Sequence, residues 1–217
     1  VAETDCRPQV QACAIRVARL DTNGVPLPGA NNLYVSDALV SMGFTAVYTN
    51  GDEIEDKNAC GIVAVNFRGP DSFKRGDVTI QLTTPDPYLV EMLTGGDVLD
   101  GAAGGDPKGY AAPPIGEVTG NGVSVELWSK RVDDGDLDAD WPYAHWAYPK
   151  IKNLRIGDHT HQNGSLLPQL SGQAYENPNW YDGPVGDWPA TSDRVYQWIP
   201  AQTMPTPSCA YQELVAS

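Results

Sequence analysis

The stretch from Thr49 to Gly96, TNGDEIEDKNACGIVAVNFRGPDSFKRGDVTIQLTTPDPYLVEMLTGG, carries three kinds of local signal in unbroken order: hairpin, strand and helix. Asn50-Gly51-Asp52 opens a polar, acidic loop through Glu53, Glu55 and Asp56. Beyond it, Cys60 to Phe67 is an apolar run rich in Val and Ile, the pattern of a strand buried on both faces. Gly69-Pro70-Asp71 is a turn signal, because Gly permits positive φ while Pro fixes φ and removes a donor. From Asp77 to Thr83 the residues alternate, with Val78, Ile80 and Leu82 on one side and Asp77, Thr79 and Gln81 on the other, so one face of that strand is wet or meets a partner. Asp86-Pro87 then supplies an N-cap and a proline at the first helical position. Leu89, Met92 and Leu93 recur at helical spacing and Gly95-Gly96 ends the turn, which predicts one short helix over about 87–94.

Working outward, the first strand is expected over Val10 to Leu20, and Asp21 to Asn32 reads as loop from end to end, with a short strand at Leu33 to Val35. Ala38 to Tyr48 returns to β-branched and apolar residues. Its Gly43 suits a bulge or the close approach of another backbone, and its natural partner across the acidic loop is Cys60 to Phe67. Residues 97–122 are dominated by Gly, Asp, Ala and Pro and read as a flexible surface excursion. A strand resumes over Gly122 to Val132. Trp146 and Tyr148 mark another, and after Pro149 the segment Lys150 to Ile156 puts its lysines and arginine on one face. Trp180 and Trp188 sit among Pro, Gly and Asp, where a large ring pins a long loop to its domain.

With 217 residues and 41% hydrophobic content, the chain supports one sizeable core, read as a single domain over 1–217. Its 22 Gly and 18 Pro lie among many short β-like runs with one helix, which predicts an all-β sandwich with long loops. Asp+Glu 28 against Lys+Arg 14 gives a formal charge of −14, which argues against tight DNA binding. No run approaches the roughly 18 apolar residues of a membrane span and no signal segment precedes Val1, so a soluble product made in a cytoplasm is expected. Cys6, Cys13, Cys60 and Cys209 form no CxxC pair and are expected as free, buried thiols.

Catalytic signals are missing. Ser165 lacks nucleophile-elbow glycines, and no stretch has the glycine spacing of a phosphate cradle. His159 and His161 stand two apart with Asp158 beside them, a spacing better suited to a polar turn than to a metal. Asp133 to Asp140 offers closely spaced carboxylates to a calcium ion but departs from EF-hand spacing, and a solvated turn is the preferred reading. No catalytic residue, cofactor or metal is expected.

The blocks YTNGDEIEDKNACG, GPDSFKRGDVTIQLTTPDPYLVEMLTGG, WAYPKIKNLRIGD and SGQAYENPNWYDGPVGDWP resemble, in that order, the major tail protein (tail tube protein) of long-tailed phages infecting actinobacteria. The resemblance spans most of residues 10–211. It implies a β-sandwich with a flanking helix, homohexameric rings stacked into a virion tail tube, other tail proteins at the tube ends and DNA passing through the lumen, all assembled in the host cytoplasm. Asp52, Glu53, Ile54, Glu55, Asp56 and Lys57 become the ring-stacking loop. Ile54 is then expected in a neighbour's pocket and the acids against bases such as Lys150, Lys152 or Arg155. The inner barrel draws on Ala38 to Tyr48, Cys60 to Phe67 and Asp77 to Thr83. Lumen candidates are Asp77, Thr79, Gln81 and Glu126, in a wall expected to be acidic. The alternative is a carbohydrate-binding β-sandwich module using Trp faces and a calcium loop at Asp133 to Asp140; a hydrolase comes third, because abundant carboxylates are not an arrangement.

Overall fold

Alternation at Asp77 to Thr83 is realised as expected: Val78, Ile80 and Leu82 are buried, while Asp77, Thr79 and Gln81 stay half-exposed. The strand that holds them sits in a ten-stranded sheet that takes in most of the described strands. A computed structural model describes residues 7–84, 86–100, 107–117, 120–157, 168–189, 194–208 and 210–214. Its strands are β1 (Gln9–Arg19), β2 (Gly29–Ser36), β3 (Leu39–Thr49), β4 (Glu53–Lys57), β5 (Val63–Arg68) and β6 (Ser72–Leu82), followed after the helix α1 (Pro87–Thr94) by β7 (Asp97–Asp100) and β8 (Pro107–Ala111). The rest are β9 (Val123–Asp133), β10 (Asp136–Leu137), β11 (Tyr143–Ile156), β12 (Gln169–Ala174), β13 (Gln197–Ala201) and β14 (Tyr211–Leu214). The fold is all-β.

The main sheet runs β14-β2-β1-β9-β11-β12-β6-β3, with β10 on β9 and β13 on β11. Its two halves share one core, because Ile15, Val17, Val125 and Leu127 from β1 and β9 pack with Val78, Ile80, Leu82 and Leu170 from β6 and β12. The long strand β11 joins the halves. Its first part pairs with β9 and β13, and its last part with β12. Pro149 falls at the register shift between Tyr148 and Ile151, where a residue without an N–H costs no ladder bond. A second irregularity follows at Asn153, whose φ is 55°. It reverses the alternation, so that Leu154 is buried and Arg155 exposed. That reversal is why Lys152 and Arg155 share a face despite their odd spacing.

Helix α1 closes one end of the sandwich, contacting β1 and β11. Asp86 caps it, accepting from the Tyr88 and Leu89 N–H groups, Pro87 begins it, and Gly95 ends it at φ 77°. Leu89, Val90, Met92 and Leu93 enter the core. Tyr34 and Tyr211 tie the helix down through Asp86 and Glu91, and Glu91 also pairs with Arg19.

Several expectations fail. β5 is exposed along its whole length and, among the described strands, pairs only with β4, in a two-stranded sheet of its own. The partner of β3 is therefore β6, and the inner sheet contains no part of Cys60 to Phe67. β-branched content marks strand propensity, and without neighbouring strands to pack on it says nothing of burial. Cys60 is consequently exposed and Cys13 half-buried, both as free thiols. Gly43 is neither bulge nor close contact, since an added Cβ would stand 3.9 Å from its nearest neighbour, the Thr79 Cβ. β2 begins within the supposed loop, at Gly29. Within the stretch read as a flexible surface excursion, β7 and β8 pair as a hairpin anchored where Tyr110 meets Thr94. Cys6, Cys209, Asp158, His159, His161 and Ser165 lie outside the described residues.

Candidate functional site: a polar sheet face and a projecting arm

Strand register fixes which residues share the solvent-facing side of the half-sheet β11–β12–β6–β3. Asp77 is opposite Thr45 on one side and Gln173 on the other, and Gln173 is opposite Lys152. One step along, Thr79 is flanked by Gly43 and Ser171, and Ser171 faces Arg155. Ser41, Gln81 and Gln169 complete the next row. The face is thus a lattice of hydroxyls and amides, cross-linked by Asn153 to Gln173 at 3.2 Å. Three expected wall residues, Asp77, Thr79 and Gln81, are brought together on it.

Its charge differs from the expectation. Asp77 is paired with Arg75 at 3.0 Å, and Lys152 and Arg155 have no matching acid among the face residues named here, so three bases stand against one acid. The fourth wall candidate, Glu126, is not on a surface. It is 1% exposed, on the other half-sheet, and accepts two hydrogen bonds from Arg16 at 2.6 and 2.7 Å. A carboxylate alternating with apolar neighbours on a strand reads as solvent-facing unless the arginine on the adjacent strand is known. The pairing of Arg16 with Glu126 across β1 and β9 supplies that partner.

One edge of this half-sheet, β3, is open along its length, and the other only at the end of β11. β3 pairs with β6 alone, and β11 is paired on its β9 side only as far as Ile151, which leaves Lys152 to Ile156 with one unpaired edge among the described strands. Unpaired N–H and C=O rows are templates for another strand.

At the end of the β3–β6 hairpin the chain leaves the sheet as the arm β4–β5. Its root is fixed by the Gly51 N–H donating to the Asp71 carboxylate and the Gly69 N–H to the Asp52 carbonyl, with Gly51 too close to the Gly69 backbone to tolerate a Cβ. Arg68 adds a bond to Asp71 and helps hold that carboxyl below its usual value, after the Gly51 bond. Register sorts the two faces. Ile54 faces Phe67 and Asp56 faces Val65 on one, while Glu53 faces Arg68 and Glu55 faces Asn66 on the other. Ile54, Phe67 and Val65 are 52%, 58% and 47% exposed. Sequence reading found Ile54 and its acidic neighbours but missed Phe67 and Val65. The signal for them was the charge on β4 around Ile54, with Asp56 opposite Val65 and Lys57 opposite Val63, which no buried strand would tolerate unpaired.

Lys150, Lys152 and Arg155 were expected to receive the arm's acids. Burial and the neighbouring Lys152 charge hold the Lys150 ammonium below its usual pKa, with Asp21 opposing. Because Lys152 and Arg155 share the face of Asp77, they cannot both line a channel and receive an arm from outside it.

The acidic turn is also occupied from within. Asp138 is buried, paired with Arg7 at 2.8 Å and Arg131 at 3.6 Å, and accepts the Asp140 and Trp141 N–H groups. Burial opposes its ionisation, yet those bonds and the arginines keep its carboxyl low. No group of three or more metal-ligating side chains occurs among the described residues. Trp180 and Trp188 are buried with Leu20 and Ala147, pinning the 176–189 loop as expected. No helix among the described residues is long and apolar enough to cross a membrane.

No family model and no curated protein sequence matches this chain. Among solved structures it is similar to one described as the cryo-EM structure of the anti-feeding prophage cap (AFP tube terminating cap), at 9% identity and a TM-score of 0.33, over 93% of this chain and 100% of that one.

Proposed function

We propose that the chain is a structural building block that closes into rings through its sheet edges, the rings stacking into a tube of the phage-tail kind. The observation that carries this reading is the half-sheet β11–β12–β6–β3, polar on its solvent side and unpaired, among the described strands, along β3 and along the Lys152–Ile156 end of β11. Successive strands are antiparallel, so β3 of one copy runs opposite to β11 of the next, and an edge-to-edge contact continues the alternation. Such a heterologous contact makes a closed ring when the rotation closes, and closure removes the free edges. Six copies, the number the family resemblance implies, would join about 24 strands, and barrels of 16–18 already enclose an aqueous channel. The hydroxyl and amide face would line that channel and let DNA slide on a hydrated wall. The arm would reach the adjacent ring, its apolar face buried there and its acids fixing register. Other tail proteins would cap the tube, in a virion assembled in the host cytoplasm.

Electron microscopy of the purified protein tests this directly, with rings or tubes expected. Proline at Thr45 or at Ala46 sharpens the test. Of two adjacent N–H groups in an edge strand one points outward, so one of these variants removes a free donor without breaking an internal bond. That variant should fold and fail to form rings. Compact monomers at every concentration would end the reading.

A further inference from the structure

On the opposite half-sheet, beneath the 176–189 loop, lies a cavity of about 610 Å³ that the tube reading does not use. Its walls include Trp128, Trp141, His145, Asp187 and Trp188. Behind them, Arg16 is shared by two carboxylates: Glu126, and Asp187 at 2.9 and 3.0 Å. His145 hydrogen-bonds Glu126 at 3.0 Å and stacks on Trp128, and the Arg16 guanidinium stands 4.9 Å from the Trp128 ring centre. Glu126 and Asp187 against Arg16 leave one negative charge in excess among the fixed charges. Glu126 is sealed, whereas the Asp187 side chain is 40% exposed, so the excess faces the cavity. Trp141 is 41% exposed and offers an open ring. Trp188 is buried, and its Nε1–H has no hydrogen-bond acceptor among the described residues.

We propose that this cavity binds the cationic end of a lysine or arginine side chain presented by a partner protein. A carboxylate beside an open indole face is the combination that attracts an alkylammonium or guanidinium, by charge and by the ring quadrupole. The site does not depend on ring formation, since every residue in it comes from one copy.

The test is an NMR titration of the full chain, following its six tryptophan indole N–H signals with Nα-acetyl-arginine amide and Nα-acetyl-lysine amide. Saturable shifts confined to the tryptophans of this cavity are expected, weakening as salt is raised. The neutral isostere Nα-acetyl-citrulline amide should bind at least tenfold more weakly. Asp187→Asn retains an acceptor for Arg16 and should lower affinity about tenfold, and Trp141→Ala, at an exposed position, should lower it severalfold with the fold intact. Equal binding of the citrulline compound, no saturable shift, or affinity unchanged in both variants would each overturn the proposal. So would spermidine binding tighter than either amide, which would make a free polyamine the ligand.

Discussion

Arg16 on β1 and Glu126 on β9 meet side-on at 2.6 and 2.7 Å inside the protein, with 4% and 1% of their surfaces exposed. Burial alone would raise the Glu126 pKa; the Arg16 charge and the bonds from His145 and Arg16 outweigh it and hold the carboxyl below its usual value. Because the folded carboxyl binds its proton more weakly than the unfolded one, the unfolded chain takes up more protons as pH falls. The stabilisation is complete above the unfolded-state value of about 4.3 and is lost as pH drops through the folded pKa. Thermal unfolding across pH 3–7 should show that decline. Glu126→Gln should cost about 3–5 kcal/mol at pH 7, since it strips a buried guanidinium of its main partner, and should flatten the acid limb. A variant with wild-type melting at pH 7 would mean that Asp187 alone satisfies Arg16.

Phe44 and Gly76 make a second interlocking pair, across β3 and β6. A Cβ at Gly76 would overlap the Phe44 ring, which also lies 4.8 Å from the Tyr196 ring centre. Gly76→Ala should push Phe44 off this aromatic contact and destabilise by about 1–3 kcal/mol, the usual cost of overpacking. Combining it with Phe44→Leu should recover much of the loss in a chemical denaturation series. Additive losses in the double variant would place the strain elsewhere.

Local chemistry made parts of this fold legible. Asp86-Pro87 and Gly95 state both ends of α1, and period-two alternation states the inward and outward sides of β6. What sequence could not state was pairing at a distance. The IVAVNF run has the composition of a core strand, and only the absence of neighbours beyond β4 makes it an arm. Glu126 looked wet because its partner lies 110 residues away on β1. Arg155 joined the face of Asp77 through one positive φ at Asn153, which side-chain spacing does not reveal. Glycine and proline content hid the β7–β8 hairpin for a similar reason: its anchor, Tyr110, acts on the helix, not on its own strand neighbours.

The arm gives a separable prediction. Ile54, Val65 and Phe67 are exposed on one face, so replacing all three by Ser should change the stability of the isolated chain by no more than about 0.5 kcal/mol per site. Ring stacking should nevertheless fail, because the apolar face would no longer repay its desolvated surroundings on a neighbour. Replacing residues 50–71 by an Asn-Gly turn should act the same way, since β3 and β6 end their pairing at Thr49 and Ser72 and can be joined tightly there. Single rings without tubes in microscopy is the expected picture. Normal tubes from either variant would remove the arm from the mechanism.

The last prediction concerns how a duplex would meet the polar face. Arg75, Lys152 and Arg155 against Asp77 leave this face short of acid, although the chain as a whole carries −14. The carboxylate excess lies instead on the arm, in the 133–140 turn and around Asp187. Sliding would then rest on hydroxyl and amide groups that hold water, and the two bases beyond the Arg75–Asp77 pair would each add a weak, salt-sensitive phosphate contact. Duplex binding to assembled tubes should therefore be weak, and its logarithm should fall with the logarithm of salt by about 0.9 for each phosphate contacted. Lys152→Gln with Arg155→Gln should flatten that dependence. Asp77→Asn should steepen it by releasing Arg75, a change of sign that a purely structural role for Asp77 would not produce. If neither variant moves the salt dependence while tubes still form, the face that carries Asp77, Thr79 and Gln81 is not the channel wall, and the ring closes with its other side inward.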